Sequence, residues 1–424
     1  MKILYAKNSF AGPISGADEI AVTYAIELKA AGHETRMLLV QPPYDSEPLV
    51  DRLRAAGVPF HTLASPKFSS SLAVGKRILI RAMRTFSPAR NLILSKSRRV
   101  VFNLLQQYHD SCCEYLKKVK PDVIHVLTPD PGAVMLVRAA HDTGIPVIYH
   151  EVGIPFHPPG FEEVYERFVS VMPLCAEIAA LSPALVEELA SVVPHIKEAK
   201  VLPLISLDHN HTARNSNHDR PVTFGFSARL EHLKGPMRLL EAFRIAQQTY
   251  SKLELRIAGD GSQRQEFIDV SRAAGLENKC HLLGIYKTLH ERAEFMDSYD
   301  VFVLPSLTEG TPNVIIEAMA HGKPTIASAV GGVPDLITKD VGILVPCDDQ
   351  QALADAMVRL ASDSDLRKRM GIAARKRYEQ LFTPQAVLPV LVDFYQAVIA
   401  KHATGASNNG KGSTLATMHQ WKVK

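Results

Sequence analysis

Residues 301–322 read VFVLPSLTEGTPNVIIEAMAHG and contain the clearest strand-to-helix pattern of the sequence. Its first four residues, Val301–Leu304, are apolar and predict a short buried strand. After a turn, the sequence predicts a helix with Thr311 as its N-cap, Pro312 as its first residue and Gly322 at its end. A buried strand followed at once by a helix is the repeating unit of an α/β fold.

The same alternation of short apolar runs and longer helical stretches continues through the chain. Most runs lack polar alternation, which is typical of strands buried on both faces of a parallel sheet. The sequence therefore predicts an α/β fold with two Rossmann-like, doubly wound domains. The predicted strands are Ile3–Ala6, Thr35–Val40, Pro59–Leu63, Asp122–Leu127, Pro146–His150, Glu177–Leu181, Lys200–Leu202, Val222–Ser227, Leu253–Ala258, Cys280–Leu283, Val301–Leu304, Pro324–Ala327 and Gly342–Val345.

A polar stretch without apolar periodicity separates the two sets of strands and predicts a linker at 209–221. We expect an N-terminal domain at 1–208, a second domain at 222–385, and a C-terminal helix at 386–402 that packs back toward the first domain. The tail at 403–424 is expected to be disordered. The two domains are expected to face a cleft, where ligands bind at the carboxyl ends of the strands.

The composition is that of a globular protein. The 424 residues are 46% hydrophobic and 22% charged, which excludes disordered, collagen-like and fibrous chains. No uninterrupted apolar run approaches about 18 residues, so no membrane-spanning helix is expected, and the N-terminal apolar run is too short for a signal peptide. The five cysteines lack zinc or redox spacing and are expected to be reduced thiols in the cytosol. The 17 histidines form no metal-binding pattern, so no metal is expected.

One segment carries much of the positive charge. Residues 52–109 contain eleven Lys or Arg and no Asp or Glu, whereas the rest of the chain has 37 basic and 44 acidic residues. Apolar side chains recur there at roughly helical spacing, as in helices that lie on anionic membranes. The candidate contacts are Lys76, Arg77, Arg81 and Arg84. The alternatives are a patch for an anionic soluble glycan or helices with solvated basic faces. Nucleic acid is not expected, because no binding motif accompanies the charge.

The turn before the predicted helix is a candidate anion site. The N–H groups of Gly310, Thr311 and Asn313 lie at the helix N-terminus, where phosphate binds readily. The carboxylates of Glu309 and Glu317 flank this site, and a nucleotide sugar combines the phosphate and hydroxyl groups that it suits. The alternative is that both glutamates are solvated surface residues, although a carboxylate on a mostly buried helix is costly without a partner.

A second candidate site lies in the loop after the predicted strand Val222–Ser227. Arg229 and Lys234 follow this strand, and two cations in one loop could converge on one anion. Basic loop residues are usually solvated, so this signal gains weight only beside the candidate anion site.

These motifs, in this order, resemble those of the retaining GT-B glycosyltransferases, specifically glycosyltransferase family 4 (group 1). The resemblance covers nearly the whole chain and is strongest from Val222 to Arg377. It is carried by two glutamates separated by seven residues, a basic pair and two glycine-containing turns: Glu309 and Glu317, Arg229 and Lys234-Gly235, Ala258-Gly259-Asp260-Gly261, and Val330-Gly331-Gly332-Val333-Pro334.

The resemblance implies a role for each residue of the donor site. Arg229 and Lys234 would hold the donor pyrophosphate, and Glu317 would bind the ribose hydroxyls. Glu309 would be catalytic and contact hydroxyls of the transferred sugar. The backbone beside this sugar would belong to Gly310, Thr311 and Asn313.

In the first domain, the family has a glycine-rich turn after the first strand. Here residues 12–18 read GPISGAD, with Ser15-Gly16 where the family has paired glycines, and Gly16 still lets the backbone approach a phosphate closely. The family often has a histidine at the end of a strand near the acceptor, and His150 occupies that place as a candidate catalytic residue. The alternative is that His150 is an ordinary strand-end histidine.

The implied reaction is transfer of a hexose from a nucleotide diphosphate sugar to an acceptor hydroxyl with retention, in the synthesis of cell-surface or extracellular polysaccharide or glycolipid. The expected partners are the donor, a glycan or lipid-linked acceptor and an anionic membrane surface, and no cofactor is expected. The expected location is the cytoplasm, with peripheral attachment to the inner membrane face. The alternatives are a GT-B-fold epimerase or hydrolase, and a non-catalytic nucleotide-sugar-binding protein.

Overall fold

The structure is a computed structural model that describes residues 1–7, 10, 16–39, 43, 47–63, 108–127, 131–153, 168–193, 196, 199–207 and 220–405. The chain divides into two compact units. The first holds Met1–Ala180, Glu188–Leu202 and, at the end of the described chain, residues 391–405, and the second holds Leu181–Glu187 and Pro203–Val390. Most of the predicted linker lies outside the described residues.

The first unit is built on a parallel sheet whose described strands run in the order β3-β2-β1-β4-β5-β6-β7. They are β1 (Lys2–Lys7), β2 (Glu34–Leu39), β3 (Phe60–Thr62), β4 (Val123–Val126), β5 (Val147–Glu151), β6 (Glu177–Ala180) and β7 (Lys200–Val201). The helices of this half of the chain are α1 (Gly16–Ala30), α2 (Pro48–Ala55), α3 (residues 108–119), α4 (Pro131–Asp142) and α5 (Pro183–Val192). Apolar side chains of the strands and helices form a common core that includes Leu4, Leu116, Ile124, Val137 and Val147.

The second unit contains a six-stranded parallel sheet in the order β10-β9-β8-β11-β12-β13. Its strands are β8 (Val222–Ser227), β9 (Leu253–Ala258), β10 (Cys280–Gly284), β11 (Val301–Leu304), β12 (Thr325–Ser328) and β13 (Gly342–Val345). Its helices are α6 (Pro236–Thr249), α7 (Arg264–Ala273), α8 (Leu289–Asp297), α9 (Asn313–Ala320), α10 (Val333–Leu336), α11 (Gln350–Ser362) and α12 (Ser364–Leu381), and α13 (Pro384–Ala403) begins in this unit and ends in the first.

The predicted α/β class with two doubly wound parallel sheets is confirmed. Each of the 13 predicted strands lies within one or two residues of a described strand, and every described pairing is parallel. In each sheet the strand order reverses once, between β1 and β4 and between β8 and β11. Ligands of doubly wound sheets bind outside the carboxyl ends of the strands at such a point.

The C-terminal helix α13 completes the core of the first unit. The hydroxyl of Tyr395 lies 2.9 Å from the Tyr5 hydroxyl and 2.6 Å from His125 Nδ1, and all three side chains are fully buried. By length and composition alone, one described helical stretch, Ser364–Ala403, could cross a membrane, although no spanning helix was expected from the sequence. A window of 18 residues within it has a mean hydropathy of 1.2. Core helices of soluble proteins meet the same criterion, so this stretch is a weak indication of a membrane span.

Candidate active site

The carboxyl ends of β8 and β11 bring two predicted site residues into contact. Lys234 ends a short 3-10 helix, His232–Lys234, in the loop after β8, and Glu309 lies in the turn after β11. Lys234 Nζ donates a hydrogen bond to Glu309 Oε1 at 2.6 Å. The Glu309 side chain is only 7% exposed, so its charge is largely removed from solvent and is balanced by the lysine. This ion pair lies at the switch point of the second sheet.

Further contacts hold Glu309 in place. Ser306 Oγ donates to the same oxygen, Glu309 Oε1, at 2.7 Å. The predicted glycine turn of the resemblance packs on the backbone here, because Gly332 N donates to Gly310 O at 2.9 Å. A Cβ added at Gly331 would overlap the carbonyl oxygen of Glu309. The turn that carries the catalytic candidate is therefore fixed by both its side-chain and its backbone contacts.

The loop after β8 is fixed against the loop after β11 in the same way. Gly235 has a φ of +76°, which favours glycine, and a Cβ at this position would overlap the carbonyl oxygen of Pro305. Leu307 N donates to Leu233 O at 2.8 Å. Lys234 thus lies between two backbone contacts that set its distance from Glu309.

Glu317 has a partner that the sequence motifs did not reveal. It lies on α9, and Arg292 Nη1 on α8 donates to its Oε1 at 2.8 Å. Burial of Tyr299 raises the pKa of its hydroxyl well above the ordinary value, and the negative charge of Glu317 adds to this shift. The sequence did carry one signal for this partner. Arg292 shares a helix face with the apolar Phe295 and Met296, and a basic residue on an apolar face indicates a buried charge that needs a partner.

The start of α9 differs by one residue from the prediction. The helix begins at Asn313, with Pro312 as an N-cap in an extended conformation and no side-chain cap, so the assignment of Thr311 as N-cap was wrong. The fixed φ of proline suits either position, and the structure uses it one residue earlier. Thr311 Oγ1 is buried and has no hydrogen-bond partner in the part of the chain that the structure describes. The predicted end is correct, since Gly322 follows the helix with a φ of +60°.

The other donor-site candidates of the second unit follow the carboxyl ends of its strands. Arg229 follows β8 and is exposed, Gly310 lies in the turn after β11, and Asn313 is the first residue of α9. The structure therefore places the donor candidates of the second unit in two loops and on helix α9, whereas Gly16 belongs to the first unit. No group of three or more metal-ligating side chains that could hold an ion occurs among the described residues.

In the first unit, Gly16 is the first residue of α1, and the turn before it lies largely outside the described residues. His150 lies at the end of β5 and is fully buried, which lowers its pKa to about 3, so the imidazole is neutral near pH 7. Its ring stacks on His125 and Tyr24, with centroids 5.3 Å and 6.3 Å away. The catalytic role of His150 stays a prediction. Lys76, Arg77, Arg81 and Arg84 lie outside the described residues.

The neighbouring Glu151 gives this unit a pH dependence that can be measured. Its carboxyl accepts hydrogen bonds from the Tyr149 hydroxyl and Gly153 N, and burial raises its pKa from 4.5 to about 7. The folded state therefore binds the proton more tightly than the unfolded chain. The resulting stabilisation is complete below about pH 4.5 and is lost as the pH rises toward about 7.

We expect Glu151→Gln, which is neutral at every pH, to gain stability relative to the wild type as the pH rises from about 4.5 to 7, by at most about 3 kcal/mol. Urea unfolding of both proteins across this range measures the difference. Glu34→Gln, at an exposed glutamate on β2, is the control and should show no such trend. A Glu151→Gln difference that is constant with pH would contradict the expectation.

Two family models match the chain. Residues 209–377 match that of the glycosyl transferases group 1, and residues 15–204 match that of the glycosyl transferase 4-like domain. Among curated proteins, the amylovoran biosynthesis glycosyltransferase AmsK of Erwinia amylovora is 35% identical over 170 residues, which cover 38% of this chain and 42% of AmsK. The capsular polysaccharide biosynthesis glycosyltransferase CapM of Staphylococcus aureus is 27% identical over 306 residues, which cover 66% of this chain and 78% of CapM. The match to AmsK thus spans less than half of that relative's length.

Solved structures share the fold. Anabaena HepE in complex with UDP superposes with a TM-score of 0.71 at 18% identity, over 94% of this chain and 100% of HepE. TarM of S. aureus superposes with a TM-score of 0.69 at 13% identity, over 93% of this chain and 100% of TarM. The two family models together cover most of the chain, and the neighbours share its two parallel sheets, so the chain belongs to the group 1 glycosyltransferases with the GT-B fold.

Proposed function

We propose that the protein transfers a hexose from a nucleotide diphosphate sugar to an acceptor hydroxyl, with retention at the anomeric carbon. The acceptor belongs to a cell-surface or extracellular polysaccharide or a glycolipid. The observation that supports this most is the contact of Lys234 with Glu309 at the switch point of the second sheet. The relatives' roles in amylovoran and capsular polysaccharide synthesis support the acceptor class, and UDP in the HepE structure supports a nucleotide donor.

Lys234 and Arg229 bind the donor diphosphate in this proposal. An ammonium group has three N–H donors, so the one that Lys234 gives to Glu309 leaves others for phosphate oxygens. Arg229 offers a guanidinium fork that grips phosphate at two points. The start of α9 adds backbone N–H groups and the positive end of a helix dipole.

Glu309 binds hydroxyls of the transferred sugar, and Glu317 binds those of the ribose. The transition state separates an oxocarbenium-like sugar from a diphosphate that gains negative charge. Cations already held near that diphosphate stabilise it without reorganisation, which lowers the barrier. The leaving phosphate takes the acceptor proton on the same face of the sugar, which gives retention.

We expect Lys234→Ala and Glu317→Ala each to weaken donor binding. Each removes a charge-assisted contact worth about 1.5–3 kcal/mol, or roughly a 10- to 150-fold change in Kd. Calorimetric titration with UDP, GDP and ADP measures the effect. Lys252→Ala is the matched control. Lys252 is exposed and directly precedes β9, so it lies at the amino ends of the strands, whereas the candidate site lies at their carboxyl ends. Unchanged affinity in both site variants would remove the site assignment.

The acceptor requirement tests the reaction class. A transferase consumes the donor sugar rapidly only when an acceptor hydroxyl is present. Turnover of a labelled donor at the same rate without acceptor would indicate a hydrolase or epimerase instead. Donor binding without turnover under either condition would indicate a binding protein.

Peripheral attachment to an anionic membrane is the proposed location, because residues 52–109 carry eleven basic and no acidic side chains. Each Lys or Arg near an anionic surface contributes about 1 kcal/mol. We expect salt-sensitive co-sedimentation with anionic liposomes that is lost when Lys76, Arg77, Arg81 and Arg84 are all replaced by Ser. Liposomes without anionic lipid are the control. Failure to bind anionic liposomes at low salt would contradict this location.

A further inference from the structure

A buried arginine on α8 is directed toward Glu317 by the way its helix is built. The helix begins at a capping box, in which Glu291 N donates to Thr288 Oγ1 at 3.1 Å and Thr288 N donates to Glu291 Oε2 at 3.2 Å. Arg292 follows directly and shares a helix face with Phe295 and Met296, three and four residues on. These two apolar residues are buried, so the same face carries Arg292 into the interior.

Within that interior, Arg292 and Glu317 form an ion pair that is largely removed from solvent. Arg292 Nη1 lies 2.8 Å from Glu317 Oε1, and the two side chains are 8% and 14% exposed. A guanidinium is charged at every accessible pH, so it supplies a permanent positive charge at this carboxylate. Burial alone would favour the neutral carboxylic acid, and the arginine opposes this effect.

The charge state of Glu317 decides what it can bind. An ionised carboxylate only accepts hydrogen bonds, whereas a protonated one also donates. The two neighbouring hydroxyls of a ribose both donate well to an ionised carboxylate, and a deoxyribose offers only one of them. A site with a fixed, ionised acceptor therefore rejects the sugar that lacks a hydroxyl, because the acceptor is left without its partner.

We propose that Arg292 is a positioning residue that sets the ribose selectivity of the donor site. By holding Glu317 ionised and in one orientation, Arg292 makes the site prefer ribonucleotides to 2′-deoxyribonucleotides. The inference rests on the proposed function, since it assumes that Glu317 faces the ribose of a nucleotide donor.

The test compares UDP, GDP and ADP with their 2′-deoxy counterparts by calorimetry. The wild type is expected to bind its best ribonucleotide about tenfold more tightly than the deoxy form. Arg292→Met and Arg292→Gln remove the charge and should reduce this preference to less than about twofold, as should Glu317→Gln. Arg292→Lys keeps the charge without the fork and should restore a preference between the two values. Arg292→Gln keeps a hydrogen-bond donor that can face Glu317, so it tests the loss of the charge even where Arg292→Met fails to fold.

Arg220→Met is the matched control. Arg220 Nη1 donates to Asp300 Oδ2 at 2.8 Å, and this ion pair lies before β8 and β11, at the amino ends of the strands. Its loss should lower the Tm without changing the ribose preference.

Each contrary result has a distinct meaning. A full preference in both charge-free Arg292 variants, with its loss in Glu317→Gln, overturns the inference and leaves the proposed function intact. A stronger preference in those variants means that Arg292 competes with the ribose for Glu317, which also overturns it. A full preference in Glu317→Gln removes the ribose role of Glu317 and the inference with it. Failure of the wild type to bind any of the three diphosphates overturns the proposed function itself.

Discussion

Glu309→Ala is expected to lower kcat by about 10²- to 10³-fold while the Kd for the nucleoside diphosphate changes much less. The reason is the position of the carboxylate, which Lys234 and Ser306 hold through hydrogen bonds of 2.6 Å and 2.7 Å. A side chain fixed by two donors costs no reorganisation when the sugar gains positive charge. The nucleotide and most of the diphosphate contacts lie on other residues, so they survive the substitution.

Steady-state kinetics with the correct donor checks this expectation, because an interaction made only in the transition state lowers kcat and kcat/KM together. Glu309→Gln is the second variant, since it keeps the shape and one acceptor oxygen while removing the charge. We expect it to fall between the wild type and Glu309→Ala. Kinetics in which only the donor KM rises would contradict a role for Glu309 at the reacting sugar.

Gly331→Ala is expected to destabilise the second unit by about 2–5 kcal/mol and to weaken donor binding. The added Cβ would overlap the carbonyl oxygen of Glu309, and Gly331 has a φ of +50°, which favours glycine. Overpacking costs about 1–3 kcal/mol, and left-handed backbone at a residue with a side chain costs about 1–2 kcal/mol more. Relief of the clash must move the Glu309 turn, so the donor site changes with it.

Gly275→Ala separates the steric effect from the backbone effect. Gly275 has a similar φ of +67°, but a Cβ there meets no atom within 4 Å. This control should lose only the backbone component of about 1–2 kcal/mol and should bind the donor normally. Urea unfolding and calorimetry on both variants make the comparison. Equal destabilisation of the two variants, with donor affinity unchanged, would show that the turn contact has no influence on the site.

The sequence was sufficient for much of the fold because the central strands are buried along their length. β11, VFVL, is a continuous apolar run, and β8 is buried at all six positions, whereas β9, LELRIA, alternates apolar residues with Glu254 and Arg256. All three strands were predicted with their observed bounds. Lys234 and Glu309 were also predictable, since each follows a strand whose carboxyl end lies at the switch point. The one-residue error at Thr311 and Pro312 arises because both residue types suit either of two neighbouring positions at a helix start.

Arg292 could not be paired with Glu317 from the sequence. The two residues are 25 positions apart on different helices, and their contact depends on how α8 and α9 pack. The enclosure of His150 is a similar case, because the rings of Tyr24 and His125 come from distant parts of the chain. Local periodicity shows that a side chain is buried and leaves its neighbours undetermined.

The contacts of Tyr395 limit how this protein can be dissected. Its hydroxyl pairs with Tyr5 and His125, so the last helix of the chain is an integral part of the first unit. A fragment that stops before residue 208 would lack this helix. The buried Tyr5 hydroxyl and His125 Nδ1 would then lose their hydrogen bonds to Tyr395, and each buried polar group left unpaired costs about 1–3 kcal/mol. Co-expression with a peptide that spans Pro384–Ala403 offers a route to a folded first unit. Conversely, shortening the chain from its C-terminus by a few dozen residues would remove this helix and so damage the N-terminal half of the protein first.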